Sequence, residues 1–339
     1  MATVSVYGAG QLGRGVAEIL TARGTHTVRG PFGRDQRAAA LTEGADLVLI
    51  ATTTRLRDVV DDVRLAVAGG SNVLVSAEES AHPWSVDEEV AERVHREAVA
   101  AGVTVVGAGL NPGLVFDALV LTVLGAAPDD VDVTVSRTVD ISGFGPTVLG
   151  RIGVGVDPEE FTRAVGAGEI LGHAGFPQSM AVVGRATGRS VRSIEADLRP
   201  LVTERAIALP DGRSVAAGHT AGVEQTYRAV ERGHAWYTAT FVGHVAPASV
   251  GLELADVITL HRGDDAVQEL RATPCFPSQA GSQHVLANSV DRVVAAVPGW
   301  LTVADLPPAS AQGRGPGPTP GWNTNPPRSA GSVTSGTAR

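Results

Sequence analysis

The chain has 339 residues, enough for two domains that each bury a core, and its 43% hydrophobic and 19% charged residues are an ordinary globular composition. A formal net charge of −9 gives no basic footprint for nucleic acid or an anionic membrane surface, and no apolar run approaches the roughly 20 residues of a membrane span. All 27 basic residues are arginine, which excludes a lysine Schiff base and the pyridoxal phosphate chemistry that depends on one.

The opening MATVSVYGAG carries no basic n-region and runs straight into a strand, so a signal peptide is not expected and the chain reads as cytoplasmic. Strand and helix then alternate: 3–7 and 11–23, a second strand within HTVRGPFGRD, 46–51 and 56–68, 72–76 and 86–101, 103–106 and 114–124. Short β-branched runs alternating with helical stretches predict a doubly wound parallel sheet covered on both faces, here an N-terminal Rossmann domain over 1–130.

From Val131 the texture changes. Val131, Val133 and Val135 alternate with polar residues, and 234–244 and 257–260 are similarly extended, which predicts a second α+β domain on a mixed sheet over 131–281. Prolines open helices at 158–165 and 177–187. One polar face on that sheet makes a homodimer plausible. A helical stripe over 284–296, within a closing segment 282–306, is expected to return to the first domain, and the Pro-, Gly- and Ser-rich 307–339 reads as a disordered tail. Cys275, the only cysteine, reads as a structural thiol, and no metal site is expected.

Gly8, Gly10 and Gly13, with Gln11 and Leu12 between them, form G-A-G-Q-L-G after a strand and before a helix. This spacing makes a tight turn that brings backbone N–H groups to a pyrophosphate. Beyond the second strand no acid precedes Asp35, while Arg29 and Arg34 can hold a 2′-phosphate, so NADP is favoured over NAD. Three later loops fall beyond strand ends: Thr52 and Thr53 in ATTTR, Glu78 and Glu79 in SAEES, and Asn111 and Pro112 in GAGLNPG. They are candidates to touch ribose, nicotinamide or substrate, against the plainer reading of caps and turns.

The stretches SAEESAHPW and GAGLNPGLVFD, followed in order by SRTVDIS, GRIGVGVDPEEF, GHAGFPQSM and AAVPGWLTVADLPPA, resemble 2,4-diaminopentanoate dehydrogenase and the related amine dehydrogenases of the dihydrodipicolinate reductase-like superfamily. The resemblance runs from about Val4 to Ala309. It implies NAD(P)-dependent oxidative deamination of a small amine or amino acid such as 2,4-diaminopentanoate, or the reverse reductive amination, in a cleft between the two domains. Such chemistry needs a proton shuttle beside the hydride acceptor. The shuttle candidates are Glu79 and His173 first, then Asp140 and His82, with Asn111, Gln178, Ser179, His234 and Trp236 as pocket-lining candidates. A reductase of preformed cyclic imines and a non-catalytic dinucleotide sensor are the alternatives.

Overall fold

The computed structural model describes residues 1–311, so most of the expected tail, 312–339, lies outside the described residues. Strands β1 (Thr3–Tyr7), β2 (Thr27–Phe32), β3 (Leu47–Ile50), β4 (Asn72–Val75) and β5 (Thr104–Gly107) pair in parallel. Every residue of β3 and β5 is buried, because helices cover both faces of the sheet. The connecting helices are α1 (Gln11–Arg23), the short α2 (Arg37–Thr42), α3 (Leu56–Ala68) and α4 (Glu88–Ala101).

After β5 the chain makes successive turns, and the helix expected from Leu114 begins only at Ala118, as α5 (Ala118–Leu124). The reason is Asp117. Its fully buried carboxylate accepts the N–H of Gly113 at 2.7 Å, that of Ala118 at 2.7 Å and the hydroxyl of Ser179 at 3.0 Å. One side chain therefore holds the loop in turns and caps the helix that follows.

The second sheet has the order β13-β12-β6-β11-β10-β7. Its strands are β6 (Asp132–Asp140), β7 (Ser193–Val202), β10 (Thr220–Glu231), β11 (His234–His244), β12 (Asp256–Arg262) and β13 (Asp265–Ala272). A small ribbon of β8 (Ile207–Ala208) and β9 (Ser214–Val215) stands apart. Only the β6–β11 pair is parallel, so the sheet is mixed. Helices α6 (Pro146–Ile152), α7 (Pro158–Gly166) and α8 (Phe176–Thr187) follow β6 in the chain. The alternation of β6 buries Val133, Val135, Arg137 and Val139 on one face.

The chain then returns. Helix α9 (Ser278–Val294) packs on α1, β4 and β5, and β14 (Gly299–Leu301) adds to the edge of the first sheet beside β5. A three-residue strand carries too little periodicity to announce itself in sequence, and burial of Trp300, whose indole N–H donates to the Ser80 carbonyl at 3.2 Å, fixes it there. The first sheet reads β14-β5-β4-β3-β1-β2, so strand order reverses at β1 and β3. A crevice beyond the carboxyl ends of those strands is where such sheets bind ligands.

Candidate functional site

The glycine turn stands at that crevice. Gly8 has φ +128° and a Cβ there would overlap the Ala51 carbonyl, while a Cβ on Gly13 would overlap the Gly8 carbonyl oxygen. Gly10 instead faces open space, and α1 starts there without a side-chain cap, leaving its first N–H groups available to an anion. Nearby, Thr52 Oγ1 and Gln279 Nε2 are buried without partners. Open space over the turn, unused helix donors and orphaned polar atoms fit a dinucleotide. Gly13→Ala must displace backbone, a strain worth about 1–3 kcal/mol, so the dinucleotide Kd in a fluorescence titration is expected to rise roughly ten-fold or more. An unchanged Kd would remove the turn from the phosphate site.

A cavity of about 350 Å³ opens beside the turn, lined by Glu78, Asn111, Arg137, Arg151, His173 and Phe241 among others. A smaller one of about 200 Å³, reaching Leu12, Gly109 and Pro112, shares Glu78, Asn111 and Gln279 with it. The two share this wall, and the larger is a chamber between the first sheet and the inner face of the second.

Of the two adjacent glutamates, the structure brings Glu78 into this chamber. A 3-10 turn over Glu78–Ala81 sends consecutive side chains in different directions. Glu79 was the expected shuttle, but its carboxylate accepts the Leu56 N–H at 2.7 Å at the start of α3 and lines a different cavity. Burial pushes the Glu78 carboxyl up to about 7, against the opposing pull of a backbone hydrogen bond, the Arg151 guanidinium and the Thr54 hydroxyl.

Across the chamber, His173 sits in the loop before α8. Its backbone N–H donates to Gln225 Oε1 at 2.7 Å. Its Nδ1 lies 2.6 Å from the Ala174 carbonyl, which can only accept, so Nδ1 carries the proton and Nε2 is left as an acceptor. Nε2 lies 3.5 Å from Asn111 Nδ2. Burial pushes this imidazole down to about 4, so at neutral pH it is an uncharged acceptor and not a cationic acid.

Arg137 is a residue the sequence reading passed over. It is 2% exposed, pairs with both carboxylate oxygens of Asp256 at 2.5 and 2.6 Å, and donates to the Phe276 carbonyl and Ser278 Oγ. It thus ties the second sheet to the start of α9, which brings Gln279 and Ser282 to the chamber. The signal was present: Arg137 interrupts the apolar face Val133, Val135, Val139, where a charge is costly unless paired. Gln225, holding the His173 loop, was also missed.

Several expected site residues stand elsewhere. His234 is exposed and ion-paired with Asp132 at 2.6 Å, and it lies at the opposite end of β11 from Phe241, roughly 23 Å along the strand. Trp236 is core: its indole N–H donates to the Ser190 carbonyl at 2.9 Å and Arg189 lies over its ring. His82 lines a separate groove with Trp84 and Arg185, pushed down to about 4 by burial and then by that arginine. Asp140 is exposed, accepting the Ser142 N–H at 2.8 Å, and does not line the chamber. Gln178 and Ser179 are buried in the first turn of α8, outside it. Arg29 is held by Glu43 and by the Ala39 and Gly44 carbonyls, so it has no free fork for a phosphate, whereas Arg34 is exposed with no ion pair among the described residues.

Residues 114–314 match the family described as the 2,4-diaminopentanoate dehydrogenase C-terminal domain. The chain is 28% identical over 330 residues to 2,4-diaminopentanoate dehydrogenase of Acetoanaerobium sticklandii, covering 90% of this chain and 93% of that one. Its fold is similar to the structure of an amine dehydrogenase from Mycobacterium smegmatis, with TM-score 0.77 and 22% identity over 92% of this chain and 97% of that one.

Proposed function

Because the chain belongs to the 2,4-diaminopentanoate dehydrogenase family, we propose that it is an NAD(P)-dependent oxidoreductase of C–N bonds. It interconverts a small amine with the corresponding ketone and ammonia. The observation that carries the reading is a carboxyl at about 7, Glu78, facing the same chamber as the neutral acceptor His173, next to the glycine turn.

The turn and the start of α1 would hold the pyrophosphate, and Asn111, Pro112 and Gln279 line the smaller cavity suited to the nicotinamide end. When bound, the dinucleotide supplies or accepts the hydride. Glu78 is poised between its two protonation states near neutral pH. It gives a proton to the leaving hydroxyl of a carbinolamine and takes one from incoming ammonium. His173 Nε2 and Asn111 orient the nitrogen by hydrogen bonds. Phe241 and Phe144 supply apolar wall that keeps the imine from bulk water.

The test is dinucleotide oxidation with a ketone and ammonium, compared with preformed cyclic imines. Ammonium-dependent turnover supports the reading, and turnover only on cyclic imines replaces it with an imine reductase. Binding without turnover on either would make the chain a sensor.

NADP is the preferred cofactor in this reading, on Arg34 alone, since Arg29 is engaged by Glu43. Arg34→Ala is expected to raise KM for NADPH roughly ten-fold, the value of one charge-assisted contact, and to leave KM for NADH within two-fold or so. Equal effects on both cofactors would remove the preference. The reading also includes a cytoplasmic homodimer. The outer face of the second sheet presents a half-buried row of Thr134, Ser136, Thr138, Thr238 and Thr240 suited to a second copy.

A further inference from the structure

Three strands of the second sheet carry one rung of buried side chains in register: Arg137 on β6, Phe241 on β11 and Gln225 on β10. Arg137 and Phe241 line the chamber, and Gln225 does not. Gln225 is 2% exposed, and a buried amide is costly unless its polar groups are met. The loop before α8 and a neighbour on β10 meet them. Oε1 accepts the His173 N–H at 2.7 Å, and Nε2 donates to the Leu171 carbonyl and to Tyr227 Oη, each at 3.3 Å. A backbone N–H only donates and a carbonyl only accepts, so these partners fix which end of the amide is oxygen.

The loop is shaped to receive that side chain. Gly172 has φ +65°, and a Cβ there would lie 2.5 Å from Gln225 Oε1. Its two neighbours, Leu171 and His173, are thus tied to the two ends of one amide. The imidazole itself is framed by the rings of Phe176 and Phe241, with centroids 5.5 and 4.9 Å away, and Tyr227 stacks on Phe176 at 5.0 Å. With the peptide and the ring both held, Nδ1 faces the Ala174 carbonyl and Nε2 is turned to Asn111. The hydrogen bond made by one ring nitrogen sets what the other can do.

We propose that Gln225 is a positioning residue: it fixes the loop so that His173 keeps its proton on Nδ1 and presents Nε2 as an acceptor to the reacting nitrogen. It does so without lining the chamber, through His173 alone. The catalytic consequence rests on the amine dehydrogenase reading above, whereas the tautomer rests only on the hydrogen bonds of the loop.

Gln225→Met keeps the volume of the side chain and removes both ends of the amide. With 2-pentanone, ammonium and NADPH, kcat is expected to fall roughly ten-fold or more, since misplacement by about 1 Å can cost roughly 10²-fold, while the dinucleotide Kd stays within about two-fold. A general loosening of the fold would lower kcat by the same factor in any background, but a residue that acts through His173 has nothing to act on once the imidazole is gone. In a His173→Asn background, Gln225→Met should therefore change kcat by less than about two-fold. Equal losses in both backgrounds overturn the proposal. Gly172→Ala reaches the same contact from the loop side and should give the same pattern if Gln225→Met does not fold. Proton–nitrogen correlation spectra of protein carrying nitrogen-labelled histidine, with His173→Asn to assign the ring, read the tautomer directly: one Nδ1-protonated form in the parent and a mixture in Gln225→Met. An Nε2-protonated ring in the parent, or an unmixed Nδ1-protonated ring in the variant, overturns the proposal. If the parent shows no ammonium-dependent turnover, the amine dehydrogenase reading falls instead, and the spectra decide Gln225 alone.

Discussion

Glu78→Gln is expected to lower kcat for ammonium-dependent turnover by roughly 10²–10⁴-fold, the usual contribution of a positioned general acid/base, while dinucleotide affinity changes little. Glutamine keeps the size and hydrogen-bonding capacity of the side chain but cannot exchange a proton, so the loss reads proton transfer rather than packing. The limb of the parent's pH–rate profile near 7 should vanish with it. A variant within a few-fold of the parent would remove Glu78 from the chemistry.

The same substitution has an opposite effect on stability. The Glu78 carboxyl is raised from its ordinary 4.5 to about 7 in the folded chain, so between those values the native state binds more protons than the unfolded one. Stability attributable to this group is therefore full below about 4.5, falls as pH rises to about 7, and is constant above. The loss is worth about 3 kcal/mol over that window. Glu78→Gln removes the penalty, so urea unfolding should find the variant more stable than the parent at pH 8, with the gap closing toward pH 5. Glu79→Gln provides the contrast: its side-chain oxygen still accepts the Leu56 N–H, and kcat should stay within a few-fold.

The second large effect is expected at Arg137→Met. Asp256 would remain buried with its countercharge gone, holding only the Phe276 N–H at 2.7 Å. Breaking a buried pair from one side costs roughly 3–5 kcal/mol, which should lower Tm by roughly 10 °C in a chain of this size. Removing both partners, in Arg137→Met with Asp256→Leu, should recover part of it, since no buried charge is then left alone. Activity should fall too, because the start of α9 loses its tie to β6 and with it the placement of Gln279. A Tm drop below about 2 °C in the single variant would show that the pair contributes little.

The contrast between Glu78 and Glu79 shows where reading the residues in order stops. Both acids are visible in SAEES, and both were expected near the chamber, but which one enters it is set by the 3-10 turn over Glu78–Ala81 and by the start of α3, which engages Glu79. Neighbours in sequence diverge by a large angle in such a turn, so local pattern cannot choose between them. His234 and Trp236 failed for a different reason. Alternation assigns side chains to faces of a strand, yet a strand of eleven residues has two ends, and these sit at the wrong one.

By itself the sequence determined the alternation of strands and helices in the first half, the glycine turn and the family. Each depends on local geometry: the two-residue period of a strand, the handed turn that only glycine makes at φ +128°, and residue order along the chain. Tertiary structure decided what those patterns leave open. It placed β14 beside β5, engaged Arg29 with Glu43, and brought Glu78, Asn111, Arg151 and His173 around one chamber from four separate stretches of chain. Burial, which sets the protonation of Glu78 and His173, is a property of that assembled chamber and of no single segment.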